Sequence, residues 1–280
     1  MYRRVVRGAP DEEYVARAAR LSMQINLGRG TLESLEQDLL PLAIGNPQRS
    51  IYRRLLVEIY GNLTFGLMQR VRHGEGADAA DAREKLAKIG ARAVKPLLDA
   101  LADGDASQQR IAIDVLSYVQ NKNAGPSLFP FATGQAELPL RVRAMIALAA
   151  LRDAGLLAKY QSLLVPKSGA DDAMPADAVA VAAAWGVART DDRRAIPLLR
   201  TLAKKGTPEM RAVALLGLGH LKDRSSIADV AAAAKSAESG MVARAAAAYA
   251  LGELDAESEA PTLLALAQGN DALPRELALI

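Results

Sequence analysis

Residues 207–221 read TPEMRAVALLGLGHL, and residues 240–254 read GMVARAAAAYALGEL. Laid over each other, Arg211 meets Arg244, Ala214 meets Ala247, Leu218 meets Leu251, Gly219 meets Gly252 and Leu221 meets Leu254. Apolar residues three, four, seven and ten places after the arginine share one side of a helix, so each copy predicts an amphipathic helix. A shorter apolar stretch follows each, and the repeating unit is therefore a pair of helices.

Aligned on the residue equivalent to Arg211, the pattern recurs at Ala79, Gln109, Arg141, Ala178, Arg211, Arg244 and Arg275. Alanine stands three residues later in every copy except one, where Val181 stands. A period of roughly 30 to 33 residues marks a solenoid, in which each unit buries its apolar face against its neighbours. The intervening helices correspond as well. AVKPLLDAL, AIPLLRTLA and EAPTLLALA bring Pro96, Pro197 and Pro261 to one slot, and AGPSLFPFA adds Pro126. Proline fits the first turn of a helix, where its missing N–H would have no partner. Pro130 predicts an early end to its helix. A polar insertion over residues 166–175 predicts a loop.

The start of the chain is less regular. Residues 11–25 predict a helix with an acidic first turn. Thr31 reads as the N-cap of a second helix, Ser50 as the cap of a third, and residues 64–72 as a further short one. Residues 73–78 (HGEGAD) are the most linker-like stretch. The division expected is 1–78, a helical segment forming a divergent repeat or cap, and 79–280, the repeat array. The array stops at LPRELALI, halfway through its seventh regular helix and without a polar capping face. That predicts a native chain continuing beyond Ile280.

Composition narrows the function classes. Half of the residues are hydrophobic but only 4% are aromatic, so the core is built from small side chains, as closely packed helices require. There is no cysteine, which excludes disulfides and cysteine-ligated zinc. No apolar run approaches the roughly 20 residues of a membrane span. The first residues, MYRRVVRGAPDEEY, hold no apolar core of a signal peptide. Cytoplasm and periplasm both remain open. Residues 1–72 carry 11 Lys and Arg against 7 Asp and Glu, and the rest 24 against 25, so the mild basicity is N-terminal.

The Arg-x-x-Ala-x-x-x-Leu-Gly pattern around Arg211 and Arg244, with the Ala-x-Pro-x-Leu pattern around Pro197 and Pro261, resembles the short bacterial HEAT-like repeats of the phycobilisome-lyase-like type. The resemblance covers about 200 residues and implies an all-α, right-handed α-solenoid of helix pairs behind the divergent N-terminal segment. It also implies that the repeated arginine makes structural bonds to a neighbouring repeat. Ala79, Gln109 and Ala178 depart from the pattern, so such a ladder is expected to be interrupted. The motif residues are packing residues and carry no chemistry of their own.

Candidate chemistry is sparse. His73 lies in the linker and His220 near a helix end, and neither precedes a glutamate, so the His-Glu pairs of metal-binding HEAT-repeat hydroxylases are absent. No nucleophile elbow, phosphate loop or dinucleotide fingerprint occurs. The expectation is a chain that is not an enzyme and takes no cofactor or metal. Arg49, Arg53 and Arg54, beside Tyr52, form the best basic patch and offer a phosphate-binding site. The surrounding array holds little positive charge, which disfavours nucleic acid as a partner.

The side of the repeated helices away from the core is more informative. Positions two, five and nine after Arg211 point there and in this fold line the concave surface. They place Ile111, Arg143 and Val213 at position two; Asp114, Ile146, Leu216 and Tyr249 at five; and Tyr118, Val187, His220 and Glu253 at nine. A solvated face would be mostly charged, and this one is mainly apolar. Trp185 falls at position seven, which reads as core. The leading reading is a protein–protein interaction scaffold that takes a protein or peptide partner on its concave face. The alternatives are a nucleic-acid-binding or DNA-glycosylase-like HEAT protein, or a bilin-lyase-like accessory protein.

Overall fold

The computed structural model describes residues 5, 11–165 and 175–279. All but Pro175 of the insertion expected over residues 166–175, residues 1–4 and 6–10 of the N-terminal stretch, and Ile280 lie outside the described residues. Among the described residues the chain forms fifteen α-helices and no strand, so the all-α class read from the pattern stands. The helices fall into two compact units, residues 1–147 and 148–280.

In the first unit the helices are α1 (Glu12–Arg29), α2 (Leu32–Gly45), α3 (Ser50–His73), α4 (Gly76–Asp103), α5 (Ala106–Val119) and α6 (Gly125–Thr133). The division falls within α7 (Leu138–Ala150). Helix α3 packs against α1, α2, α4 and α5. Asp11 caps α1 by accepting the Glu13 N–H at 2.7 Å, and Arg29 sits in its last turn, both favourable to the helix dipole. Thr31 occupies the N-cap position of α2, but its hydroxyl donates to Asn26 Oδ1 instead of accepting from the helix.

Two breaks expected from the sequence do not occur. Helix α3 runs unbroken through Thr64, and α4 runs through Pro96. Leu86, Ile89, Ala93, Pro96, Leu97 and Ala100 form one buried stripe along α4. Packing of that stripe outweighs the roughly 3 kcal/mol that an interior proline costs. Pro130 likewise lies inside α6, where Leu128 and Ala132 are buried on either side of it. Pro126, Pro197 and Pro261 do sit in first turns.

The second unit holds α8 (Leu157–Leu164), α9 (Ala178–Ala188), α10 (Ile196–Lys205), α11 (Pro208–His220), α12 (Ile227–Lys235), α13 (Met241–Glu253), α14 (Ala260–Ala267) and α15 (Ala272–Leu277). Helices α9, α11, α13 and α15 pack side by side in that order, with α8, α10, α12 and α14 against them. The interface of α11 and α13 is lined by Ala212, Leu215, Ala243, Ala247 and Leu251. Small residues let the backbones approach. A Cβ on Gly219 would lie 2.9 Å from Ala250 Cα, so only glycine fits there.

The repeated arginine has a local job. Arg141, Arg211 and Arg244 donate Nε–H to the carbonyls of Ala132, Gly206 and Ala234 at 3.2, 2.9 and 3.3 Å. Each carbonyl ends the preceding helix and would lack an intrahelical partner. Gln109 makes the same bond to Leu101 O at 3.2 Å. The interruption expected at Gln109 therefore does not occur, because an amide N–H reaches the same acceptor.

After each of these helices the chain turns through one non-glycine residue in the left-handed region: Gln120, Arg152, Asp191, Lys222 and Asp255, with φ between 48° and 53°. These residues fix the repeat register and correct the expected one. Counted back from Asp191, the equivalent of Arg211 is Ala180, not Ala178. The core positions then fall on Ala183, Ala184, Val187 and Thr190, all buried. Val187, expected on the open face, is fully buried, and Trp185, expected in the core, is partly exposed at position five.

Candidate functional site

With the register corrected, position five of three successive repeats carries Trp185 on α9, Leu216 on α11 and Tyr249 on α13. All three are partly exposed and line one cleft of about 220 Å³ with Arg152, Arg189 and His220. Position nine contributes Arg189 and His220. Helical spacing puts positions five and nine one turn apart on the same face, so the apolar residues form the floor and the polar ones the rim.

The polar rim is unequally satisfied. The Arg189 guanidinium stacks over the Trp185 ring, 5.4 Å from its centroid. Its Nε is out of solvent with no hydrogen-bond acceptor among the described residues. Burial, and then the neighbouring Arg152, push its pKa below the ordinary guanidinium value, with Asp191 opposing. Asp191 is shared. His220 Nε2 lies 2.5 Å from its Oδ1, and Arg152 lies 3.7 Å from its Oδ2. A carboxylate only accepts, so Nε2 of His220 carries the hydrogen in that contact. Glu253, also at position nine, is held by Lys222, which bonds its backbone carbonyl and its carboxylate. Val213 is partly buried on the same helix as Leu216.

The first unit has a separate cleft of about 360 Å³. Met23 of α1, Gly61 and Phe65 of α3, and Ile111, Asp114 and Tyr118 of α5 line it. Phe65 is 59% exposed and is not among the residues the sequence singled out. Its signal, an aromatic on α3 out of phase with the buried Tyr60 and Leu67, is readable only once the α1–α3–α5 packing is known. Asp114 also borders a neighbouring cleft with Arg143 and Ile146, and pairs with Arg143 at 2.5 Å. Ile146 is 48% exposed.

Arg49, Arg53 and Arg54 do not present three free cations. Arg49 stacks on Tyr52 at 5.1 Å and donates to its hydroxyl at 3.1 Å. Arg53 pairs with Asp103 at 3.0 Å, and Arg54 is exposed. Among the described residues no group of three or more His, Cys, Asp or Glu is placed to hold a metal ion, and no helix is long and apolar enough to cross a membrane.

No curated protein matches the chain. Among solved structures, human deoxyhypusine hydroxylase in complex with glycerol is similar, at 18% identity and a TM-score of 0.34, over 83% of this chain and 96% of that one. That protein is an enzyme by its name, so the expectation that this chain is not an enzyme is corrected to an open one. Likeness at that TM-score assigns no activity here. The model of the HEAT repeat family matches residues 202–280, which identifies that segment, α11 to α15 with the end of α10, as HEAT-like repeats.

Proposed function

We propose that the chain is a helical-repeat interaction scaffold that holds a protein or peptide partner against the open faces of its repeated helices. The observation that carries this reading is the row of Trp185, Leu216 and Tyr249, three largely apolar side chains from three successive repeats that meet in one cleft. Large apolar groups repeated on an outward face favour burial against a partner, at roughly 25 cal/mol per Å² of apolar surface covered. Aromatic residues with an arginine beside them are the residue types that dominate interface energetics. HEAT repeats as a class fit this role.

The test is affinity capture from the native cell extract with the wild-type chain and with Leu216→Asp and Tyr249→Ala. Both substitutions are at partly exposed positions, and thermal melts verify that they fold. A partner retained by the wild type and released by both variants supports the scaffold. A partner retained equally by all three removes this face from the function.

A further inference from the structure

We propose that the cleft formed by α9, α11 and α13 takes an acidic peptide segment, one carboxylate meeting Arg189 and Arg152 and a neighbouring apolar side chain lying over Leu216 and Tyr249. The inference rests on the scaffold reading and names the chemistry of its partner.

Two guanidinium groups, Arg152 and Arg189, line the cleft. The nearby carboxylate, Asp191, already serves both Arg152 and His220. Arg189 lies against the Trp185 ring and feels Asp191 only at longer range, and its Nε is buried without an acceptor. A partly exposed guanidinium at a cleft wall, with no carboxylate bonded to it among the described residues, is poised for a charge-assisted pairing with a carboxylate through its outer nitrogens. Stacking on Trp185 fixes the plane of the fork and lowers the ordering cost of that pairing.

Size and surroundings select the occupant. A cleft of about 220 Å³ takes one or two side chains of an extended segment. The apolar floor rewards an aliphatic or aromatic residue next to the acid. Nucleic acid fits less well. Residues 148–280 hold 15 Lys and Arg against 16 Asp and Glu, so no broad positive field tracks a phosphate backbone. The Trp185 face that a base would stack on carries Arg189.

The experiment selects a phage-displayed library of random heptapeptides on the full chain, then measures the enriched peptides by fluorescence polarisation. Each is tested on wild type, Arg189→Gln, Arg152→Gln, Leu216→Asp and the exposed control Arg224→Gln. Each is also resynthesised with Gln for Glu and Asn for Asp, an arm that does not depend on any variant folding. The expected result is a consensus of one acidic residue beside an apolar one. Its binding weakens about tenfold or more with Arg189→Gln, with Arg152→Gln and with the amide peptide, and is unchanged by Arg224→Gln. Enriched peptides that lack an acid, or that ignore the amide exchange, overturn the proposal; if Leu216→Asp still abolishes them, the scaffold reading survives. No enrichment at all removes both readings for this cleft. Binding of a labelled 15-nucleotide oligothymidine that is lost with Arg189→Gln overturns the peptide assignment in favour of nucleic acid.

Discussion

Gly186 lies against the ring of Tyr160, so close that a Cβ on the glycine would stand 2.6 Å from the phenol Cζ. The contact is what lets α8 pack on α9. In a free helix alanine is preferred to glycine by about 1 kcal/mol. Here the ring is buried and has nowhere to move. Gly186→Ala is therefore expected to reverse the usual sign and lower stability by about 1–3 kcal/mol. Trp185 is the chain's single tryptophan and adjoins the site, so its fluorescence during urea unfolding reads the effect. A midpoint equal to or above wild type would mean that the two helices are not held this closely.

Two buried tyrosines predict opposite responses to loss of a hydroxyl. Tyr160 Oη is buried with no hydrogen-bond partner, and burial, then Asp153, raise its pKa above the ordinary 10.0. Tyr60 donates its hydroxyl to Glu36 at 3.0 Å, and Arg92 grips the same carboxylate through Nε and Nη2 at 3.0 and 3.1 Å. Burial, then Glu36, push the Tyr60 phenol far up as well. Tyr160→Phe is expected to raise stability by about 1 kcal/mol, and Tyr60→Phe to lower it by about the same amount. Arg92→Ala is expected to cost more, about 2–3 kcal/mol, because it leaves Glu36, which is 0% exposed, without its cationic partner and with only the Tyr60 hydroxyl bonded to it. Arg92 itself is 38% exposed, and solvent screening there keeps the cost from being larger. Circular dichroism in urea measures all three, and equal signs for the two tyrosine variants would contradict the assigned hydrogen bonds.

The fold was legible where the pattern is redundant. Around Arg211 and Arg244 the core positions are apolar, the open ones are mixed, and the Leu-Gly ending repeats, so register and burial agree. The pattern misleads at α9 for two reasons. AVAVAAAWGVA is apolar on every side, so its alanines align equally well in several registers, and α9 has 11 residues where α11 and α13 have 13. A shift of two residues moves Val187 onto the open face and Trp185 into the core. The usable signal was the aspartate after the left-handed residue, in Arg152-Asp153, Asp191-Asp192 and Lys222-Asp223, which accepts N–H groups or hydroxyls as the next turn begins. Glu36 and Arg92, 56 residues apart, left no local signal. Their pairing needs the packing of α2 on α3 and of α3 on α4.

Asp223 predicts part of the acid sensitivity of the second unit. It is nearly fully buried, and burial alone would raise its pKa. The hydroxyls of Ser226 and Ser225, with the bidentate Arg200 at 2.8 and 2.9 Å, outweigh that and hold it below the ordinary carboxylate value of 3.8. A group lowered on folding stabilises the native state above its unfolded pKa, and that contribution is lost as pH falls through the folded value. The tryptophan-monitored unfolding free energy is thus expected to decline from near pH 4 downward. Asp223→Asn should be less stable at pH 7 and show a shallower decline. An acid limb of unchanged slope in that variant would exclude Asp223 as its source.

Gln109 and Arg211 do the same job with different charge, which makes the arginine testable. Each closes the last turn of the preceding helix by donating to a carbonyl, at 3.2 Å in α4 and 2.9 Å at the end of α10. If the hydrogen bond is what matters, Arg211→Gln keeps most of the stability, because the amide can reach the Gly206 carbonyl as Gln109 reaches that of Leu101. Arg211→Ala leaves that carbonyl without this donor and is expected to cost about 0.5–1.5 kcal/mol. If the charge is what matters, through the negative end of the α10 dipole, the two variants fall together and the deficit shrinks in high salt. Lys204 and Lys205 already supply positive charge to that helix end, which favours the first outcome. Paired urea curves for the two variants at low and high salt separate the cases.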